Sequence, residues 1–260
     1  MNMKDIILTR KSVRTFDGRP LTDAHRQMLC DAISTITNPW GIPVKFALLD
    51  AKAHSLSSPV IRGEQLYIAG KVPKVKHCEE AFGYSFEKMV LYAWSLGIGT
   101  TWIGGTMKRE LFERAAETGE DELMPIVSPL GYPATEKSEV DQKLRANVHG
   151  DERIAASELF FDKDFNTPLN DADTEFLEVV RWAPTAANMQ PCRVVRDGNA
   201  WHFYEKHTMG HAANAPWDVQ KIDIGIALCH FMSTCGGALV IADPGIAAPD
   251  DTEYIATVRI

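Results

Sequence analysis

The feature that most limits what this chain can fold into is an internal repetition. At a constant offset of 148 residues, Pro20, Leu21, Asp23, Ala24, Leu29 and Pro43 fall on Pro168, Leu169, Asp171, Ala172, Leu177 and Pro191. The predicted elements repeat with them: a helix, a strand, a second strand and a long apolar helix. A period this long rules out a solenoid. It fits two fused copies of a domain-sized unit, like the protomers of an ancestral twofold dimer. The sequence therefore predicts two halves, 1–150 and 151–260, built as one compact pseudo-dimer, and 260 residues suffice for that.

Local signals place the elements. Ile6-Ile7-Leu8 is a short apolar stretch ahead of a basic run. Thr22 and Asp23 mark a helix start, since a hydroxyl caps and a carboxylate suits the positive end. Leu29, Ala32, Ile33 and Ile36 give that helix its apolar stripe. Val44–Leu49 and Leu66–Ala69 read as strands, with a loop over 51–65. Cys78, Phe82, Phe86, Met89, Ala93 and Leu96 predict one buried face of a helix over 76–96, with Gly97 after its end. A short helix over 108–118, a strand over Met124–Val127 and a charged surface stretch over Lys137–Ile154 complete the first half. In the second, a helix buries Phe176, Leu177 and Val180. Strands follow near Arg193–Arg196 and His202–Glu205. Residues 219–235 are apolar nearly all round, hence a central helix, and Leu239–Ala242 and Tyr254–Val258 read as strands.

Three stretches carry candidate chemistry. Arg10, Ser12 and Arg14 alternate, so an extended backbone puts them on one face with Val13 on the other. Two guanidinium groups and a hydroxyl make a receptor for a dianionic phosphate through charge-assisted forked hydrogen bonds. A solvated basic segment has the same composition. Ala183–Pro191 joins a helix to a strand. Its small alanines allow close approach of a ligand, and Asn188 and Gln190 offer donors and acceptors suited to the edge of a planar heterocycle; an ordinary polar loop also fits. The glycines of Gly97–Gly105 let backbone approach a flat ligand, but neither phosphate-loop spacing is met.

The two copies are chemically unequal. Arg10, Ser12 and Arg14 correspond to Glu158, Phe160 and Asp162, and Asn188 and Gln190 correspond to Trp40 and Ile42. The basic triad is present only in the first half and the amide pair only in the second. A twofold dimer builds two equivalent sites from such parts; this chain is expected to keep one and to close the other with Trp40, Ile42 and Phe160.

The remaining composition narrows the setting. Five cysteines without a paired spacing predict a reducing, cytoplasmic compartment and no zinc site, and metal binding is not expected. Cys192 reads as a surface residue. The adjacent pairs His77-Cys78 and Cys229-His230 read as structural. A net charge of −8 disfavours nucleic acid and anionic membranes as partners, and no apolar run is long enough to span a bilayer. No nucleophilic triad or carboxylate pair is evident, so no catalytic side chain is assigned. His207, His211, Asn214 and Trp217 lie in an irregular segment that reads as a surface loop or a cover for a substrate.

Arg10-Lys11-Ser12-Val13-Arg14, Gly99–Gly105 and Ala183–Pro191, in that order, resemble the nitroreductase family of flavoproteins, and the duplication resembles its single-chain, tandem-half branch. The resemblance implies an α+β, nitroreductase-like fold, a mostly antiparallel sheet flanked by helices, with one FMN between the halves. It implies that Arg10, Ser12 and Arg14 bind the FMN phosphate and ribityl chain. Pro184, Thr185, Asn188 and Gln190 would line the isoalloxazine. Ile103, Gly104 and Gly105 would direct backbone N–H groups at flavin N5 and O4, and Arg62 would reach the N1/O2 edge. Lys143 and Arg145 are further candidates for the phosphate. Cys192 departs from the tryptophan common in relatives. The implied activity is ping-pong hydride transfer from NAD(P)H to small nitroaromatic or quinone-type acceptors, by a monomer acting as a pseudo-dimer. The alternative is a protein that binds or senses FMN without turnover.

Overall fold

The computed structural model describes residues 2–170, 174–210 and 215–260. Asp171, Ala172, His211 and Asn214 of the sequence reading lie outside them. The chain divides into two units. The first comprises Thr9–Cys78 and Ser85–His149, and the second Asn2–Leu8, Glu79–Tyr84 and Gly150–Ile260. Among the described residues no helix is long and apolar enough to cross a membrane.

The chain opens with α1 (Met3–Thr9), where the sequence suggested only an apolar stretch. Asn2 explains it: its Oδ1 accepts the Asp5 N–H at 2.8 Å, a side-chain cap. Helix α2 (Asp23–Thr35) begins at its expected cap, Thr22 Oγ1 accepting from His25 N. In the first unit β1 (Lys45–Asp50) and β2 (Leu66–Pro73) run antiparallel from Lys45↔Lys71 to Asp50↔Leu66. Strand β2 also pairs with β3 (Glu122–Leu123) and β4 (Val127–Leu130). Its central position explains its near-continuous apolar run, for Leu66–Ala69 and Val72 are all buried.

Helix α3 (Cys78–Ser95) is the long helix expected, with Phe82, Phe86, Met89 and Ala93 fully buried. Gly97, at φ +75°, ends it: Gly97 N donates to Trp94 O and Ile98 N to Ala93 O, both at 2.9 Å. The expected strand over Met124–Val127 begins only at Val127. Pro125 has no N–H for a ladder, and Arg109, at the start of α4 (Arg109–Ala115), takes the carbonyls of Met124 and Pro125. Tyr67 meets Phe112 edge to face at 5.0 Å in the core. The charged stretch after Lys137 contains α5 (Glu139–Asn147), capped by Ser138.

In the second unit the sheet order is β5-β6-β7-β9-β8. Strand β5 (Phe160–Asp162) is parallel to β6 (Cys192–Asp197); β7 (Ala200–Lys206), β9 (Thr252–Arg259) and β8 (Ala238–Val240) continue antiparallel. A 3₁₀ turn at Glu175–Leu177 leads into the short α6 (Glu178–Arg181). Helix α7 (Val219–Cys235) is buried on every face from Ile222 to Phe231. Two glycines let it touch the first turns of α3. A Cβ on Gly83 would stand 2.0 Å from Ile222 O, and one on Gly225 2.2 Å from Glu80 O. Backbone therefore meets backbone at this crossing.

Candidate functional site

The first unit gathers the basic residues. Residues 12–16 are extended and zipped on both sides: Val13 N donates to Thr100 O, Arg62 N to Arg14 O and Phe16 N to Arg62 O. Val13 and Phe16 pack where Gly99 and Gly131 leave room, since a Cβ on either glycine would come within 2.8 Å of them. That fixes the register of the strand and the direction of its basic side chains.

Arg10 is buried, and burial lowers its pKa below the ordinary guanidinium value; Glu87 opposes that shift, and Arg145 and Arg14 add to it. Three guanidinium groups therefore act on one point. Glu87, itself fully buried, approaches Arg10 Nε at 3.7 Å and accepts from Trp102 Nε1 at 3.2 Å. Arg14 Nη1 donates to the buried Asp141 at 3.3 Å. Helix α5 is docked through the same carboxylate, whose Oδ2 also accepts from Thr15 Oγ1 at 3.5 Å, and through its cap Ser138, whose Oγ lies 3.1 Å from Thr15 Oγ1. Arg10 Nε and Nη1 have no hydrogen-bond partner among the described residues. A buried guanidinium with two unused donors beside like charges has the chemistry to hold an anion. Lys143 is elsewhere, exposed and paired with Glu139 at 3.9 Å.

The other first-half candidates are placed as follows. Arg62 is exposed, and its Nη1 donates to the carbonyls of Pro59 and Ile61 at 2.9 and 2.7 Å. Its main chain, not its side chain, braces the 14–16 segment. Ile103 N is spent on Val127 O at 2.9 Å. That N–H is engaged within the first unit. Gly104 O is held by Arg109 Nη2 at 2.6 Å, and Gly105 has no described atom within 4 Å of where a Cβ would stand. The turn is clamped at one glycine and open at the next.

The Ala183–Pro191 loop of the second unit is strained and tightly held. Ala187, Asn188 and Gln190 have φ of 49°, 58° and 52°, a left-handed conformation that costs about 1 kcal/mol or more per residue. Asp223 on α7 accepts Ala186 N–H with both oxygens at 3.1 Å, and Thr185 Oγ1 accepts Gln190 N at 3.0 Å. Burial raises the Asp223 carboxyl well above the usual carboxylate range, against the opposing Ala186 N–H.

The two amides expected to face a ligand are engaged within the unit. Gln190 Oε1 accepts Ile154 N at 2.9 Å, and its Nε2 donates to Asn188 O at 3.3 Å. Asn188 Nδ2 donates to Glu152 O, and its Oδ1 accepts from Arg153. The physical reason is satisfaction. Gln190 is buried, and a buried amide takes the nearest partners. Pro184 and Thr185 are half-buried. A pocket lined by Phe160, Ala183, Thr185, Gln190, Cys192 and Asp223 has room for about one ordered water. Cys192 is buried there, not at the surface as expected, and burial pushes its thiol up to about 12.

The residues matching Arg10, Ser12 and Arg14 also have structural duties. Phe160 is in the core, and Asp162 pairs with Arg196 at 3.0 Å. Its charge is thereby balanced rather than left to repel a phosphate. Sequence reasoning missed Glu87, Arg109, Asp141 and Asp223. None belongs to a local pattern, and Asp141 meets Arg14 across 127 residues.

The chain matches the family described as "Putative TM nitroreductase" over residues 2–235. It belongs to this nitroreductase family. A "putative nitroreductase" from Thermotoga maritima aligns with 19% identity and a TM-score of 0.64, covering 100% of this chain and 94% of that one. A nitroreductase family protein from Clostridium difficile aligns at 15% identity and TM-score 0.48, over 61% of this chain and 96% of that chain. An FMN-dependent nitroreductase, also from Clostridium difficile, aligns at 14% and 0.44, over 66% and 94%. No curated protein matches. The fold is nitroreductase-like and α+β, with mostly antiparallel sheets and the helix–strand–strand–helix series occurring in each unit.

Proposed function

We propose that this nitroreductase-family chain is an FMN-dependent oxidoreductase that draws on NAD(P)H and reduces small electron-poor acceptors of the nitroaromatic or quinone type. The observation that carries the reading is the buried Arg10, with Nε and Nη1 unpartnered among the described residues and Arg14 and Arg145 beside it. Those groups fit a phosphate monoester of the kind FMN carries. When bound, FMN supplies two-electron transfer that no side chain of this protein offers.

The chain's own residues would then have separate tasks. Arg10 and Arg14 neutralise the phosphate, with Ser12 on the same strand as a further donor. Glu87 and Asp141 hold the two guanidinium groups in place. Gly105 leaves backbone open to close approach. In the second unit Asn188 and Gln190 shape their own loop, which carries Pro184 and Thr185, through the bonds to Glu152 and Ile154. Arg62 is a candidate for the ring's polar edge if it leaves the carbonyls it now holds. One FMN per chain follows from a basic cluster present in the first unit only.

The test is anaerobic. Protein reconstituted with FMN is mixed with NADH or NADPH and its visible spectrum is followed. Bleaching, reversed by adding a quinone or nitroaromatic, is the expected result. Bound FMN that neither nucleotide bleaches would replace this reading by the non-catalytic FMN-binding one, which the engaged amides favour.

A further inference from the structure

We propose that Glu205, His207 and Asp218 form a binding site for one divalent transition-metal ion, Zn²⁺ or Mn²⁺, in the second unit. Each residue offers one ligand atom, and these atoms lie within 4.8 Å of one another. The fold brings them together by simple means. Glu205 is near the end of β7. His207 continues that strand's pairing through its N–H to Asp251 O at 2.8 Å, so residues 205 and 207 share a face. Asp218 caps α7 with Oδ1, which accepts Gln220 N and Lys221 N. The cap does not use Oδ2.

Glu205 is what points to a ligand. Its side chain is fully buried, and neither carboxylate oxygen has a hydrogen-bond partner among the described residues. A buried carboxylate without a hydrogen bond calls for a cation or a proton. His207 Nδ1 stands 2.8 Å from Glu205 Oε1, a close approach outside hydrogen-bond geometry. Two ligand atoms about 3 Å apart is the edge of a coordination shell whose metal–ligand bonds are about 2.1 Å.

The surroundings match. His207 Nε2 lies 3.6 Å from Glu253 Oε2, the placement of a carboxylate that orients a metal-bound imidazole from its far side. Lys221 is paired with Glu253 at 3.2 Å. Mixed imidazole and carboxylate ligands suit zinc and manganese better than calcium or magnesium, and three protein ligands leave positions for water. No spacing rule reveals the site, because Asp218 joins it from another element. The expectation of no metal came from cysteine and histidine spacing along the sequence.

The experiment uses the full chain, free of any affinity tag and stripped with chelator. Zn²⁺ and Mn²⁺ are titrated by calorimetry, and bound metal is counted after desalting. The wild type should bind one ion per chain. Glu205→Gln and His207→Gln should each weaken binding at least tenfold while keeping the wild-type far-ultraviolet circular dichroism and FMN affinity. Absence of saturable binding would overturn the proposal and leave His207 as the partner of Glu205. So would unchanged binding in Glu205→Gln, or binding of Ca²⁺ as tight as that of Zn²⁺ and Mn²⁺. None of these results depends on whether FMN turns over.

Discussion

Replacing Gly83 by alanine tests the helix crossing on which the second unit is built. The added Cβ would lie 2.0 Å from Ile222 O, where real contacts do not fall below 3.0 Å, so the helices must part by about 1 Å. The obstacle is helical backbone on both sides and cannot rotate away. Overpacking of this kind costs about 1–3 kcal/mol, and a backbone obstacle belongs at the upper end. Alanine returns about 1 kcal/mol through its better helix propensity. The net loss is about 2 kcal/mol. At about 2–4 °C per kcal/mol for a domain of this size, Tm falls by about 4–8 °C. Gly225→Ala, with its Cβ 2.2 Å from Glu80 O, should cost about the same. The double variant should cost clearly less than the sum, because helices parted by one methyl already admit the other. Thermal melts followed by circular dichroism measure all three. A Gly83→Ala protein as stable as wild type, or a strictly additive double variant, would refute the close crossing.

Other consequences follow from the site. Arg10→Ala removes charge-assisted bonds worth about 1.5–3 kcal/mol, so FMN affinity by fluorescence titration should fall about 10- to 150-fold. Glu87→Gln should weaken it less, through loss of Arg10 positioning. Thiol labelling of native protein at mildly alkaline pH should modify exposed Cys30 first and spare buried Cys192, whose thiol is held up to about 12; unfolding should release it. Asp223 has a folded pKa above its unfolded value of 3.8. Its contribution is therefore full below that value and declines as pH rises toward the folded value. Asp223→Asn, which keeps an acceptor for Ala186 N–H, should flatten this decline in a pH series of thermal melts. Asp223→Ala should lose stability at every pH.

Where information was local, the sequence carried it. Thr22, Gly97 and the alternation around Val13 each act on backbone a few residues away, and the structure uses all three as read. Helix α1 escaped because its cap, Asn2, precedes a stretch too short for a periodic signal. The strand at Met124 was misplaced because Pro125 and a distant arginine decide where pairing starts. The candidate site divided along the same line. Arg10 and Arg14 announce an anion receptor by charge, but Glu87 and Asp141 reach them only through the fold. Asn188 and Gln190 looked available because their partners at 152–154 are remote in sequence. The same remoteness hid Asp223, and it hid the burial of Cys192.

The most direct test of the account is a titration of the purified chain with FMN, measuring affinity and the number bound in wild type and in Arg10→Ala. The account predicts one FMN per chain, with affinity that collapses in the variant. Two FMN per chain, or binding that is indifferent to Arg10, would contradict it.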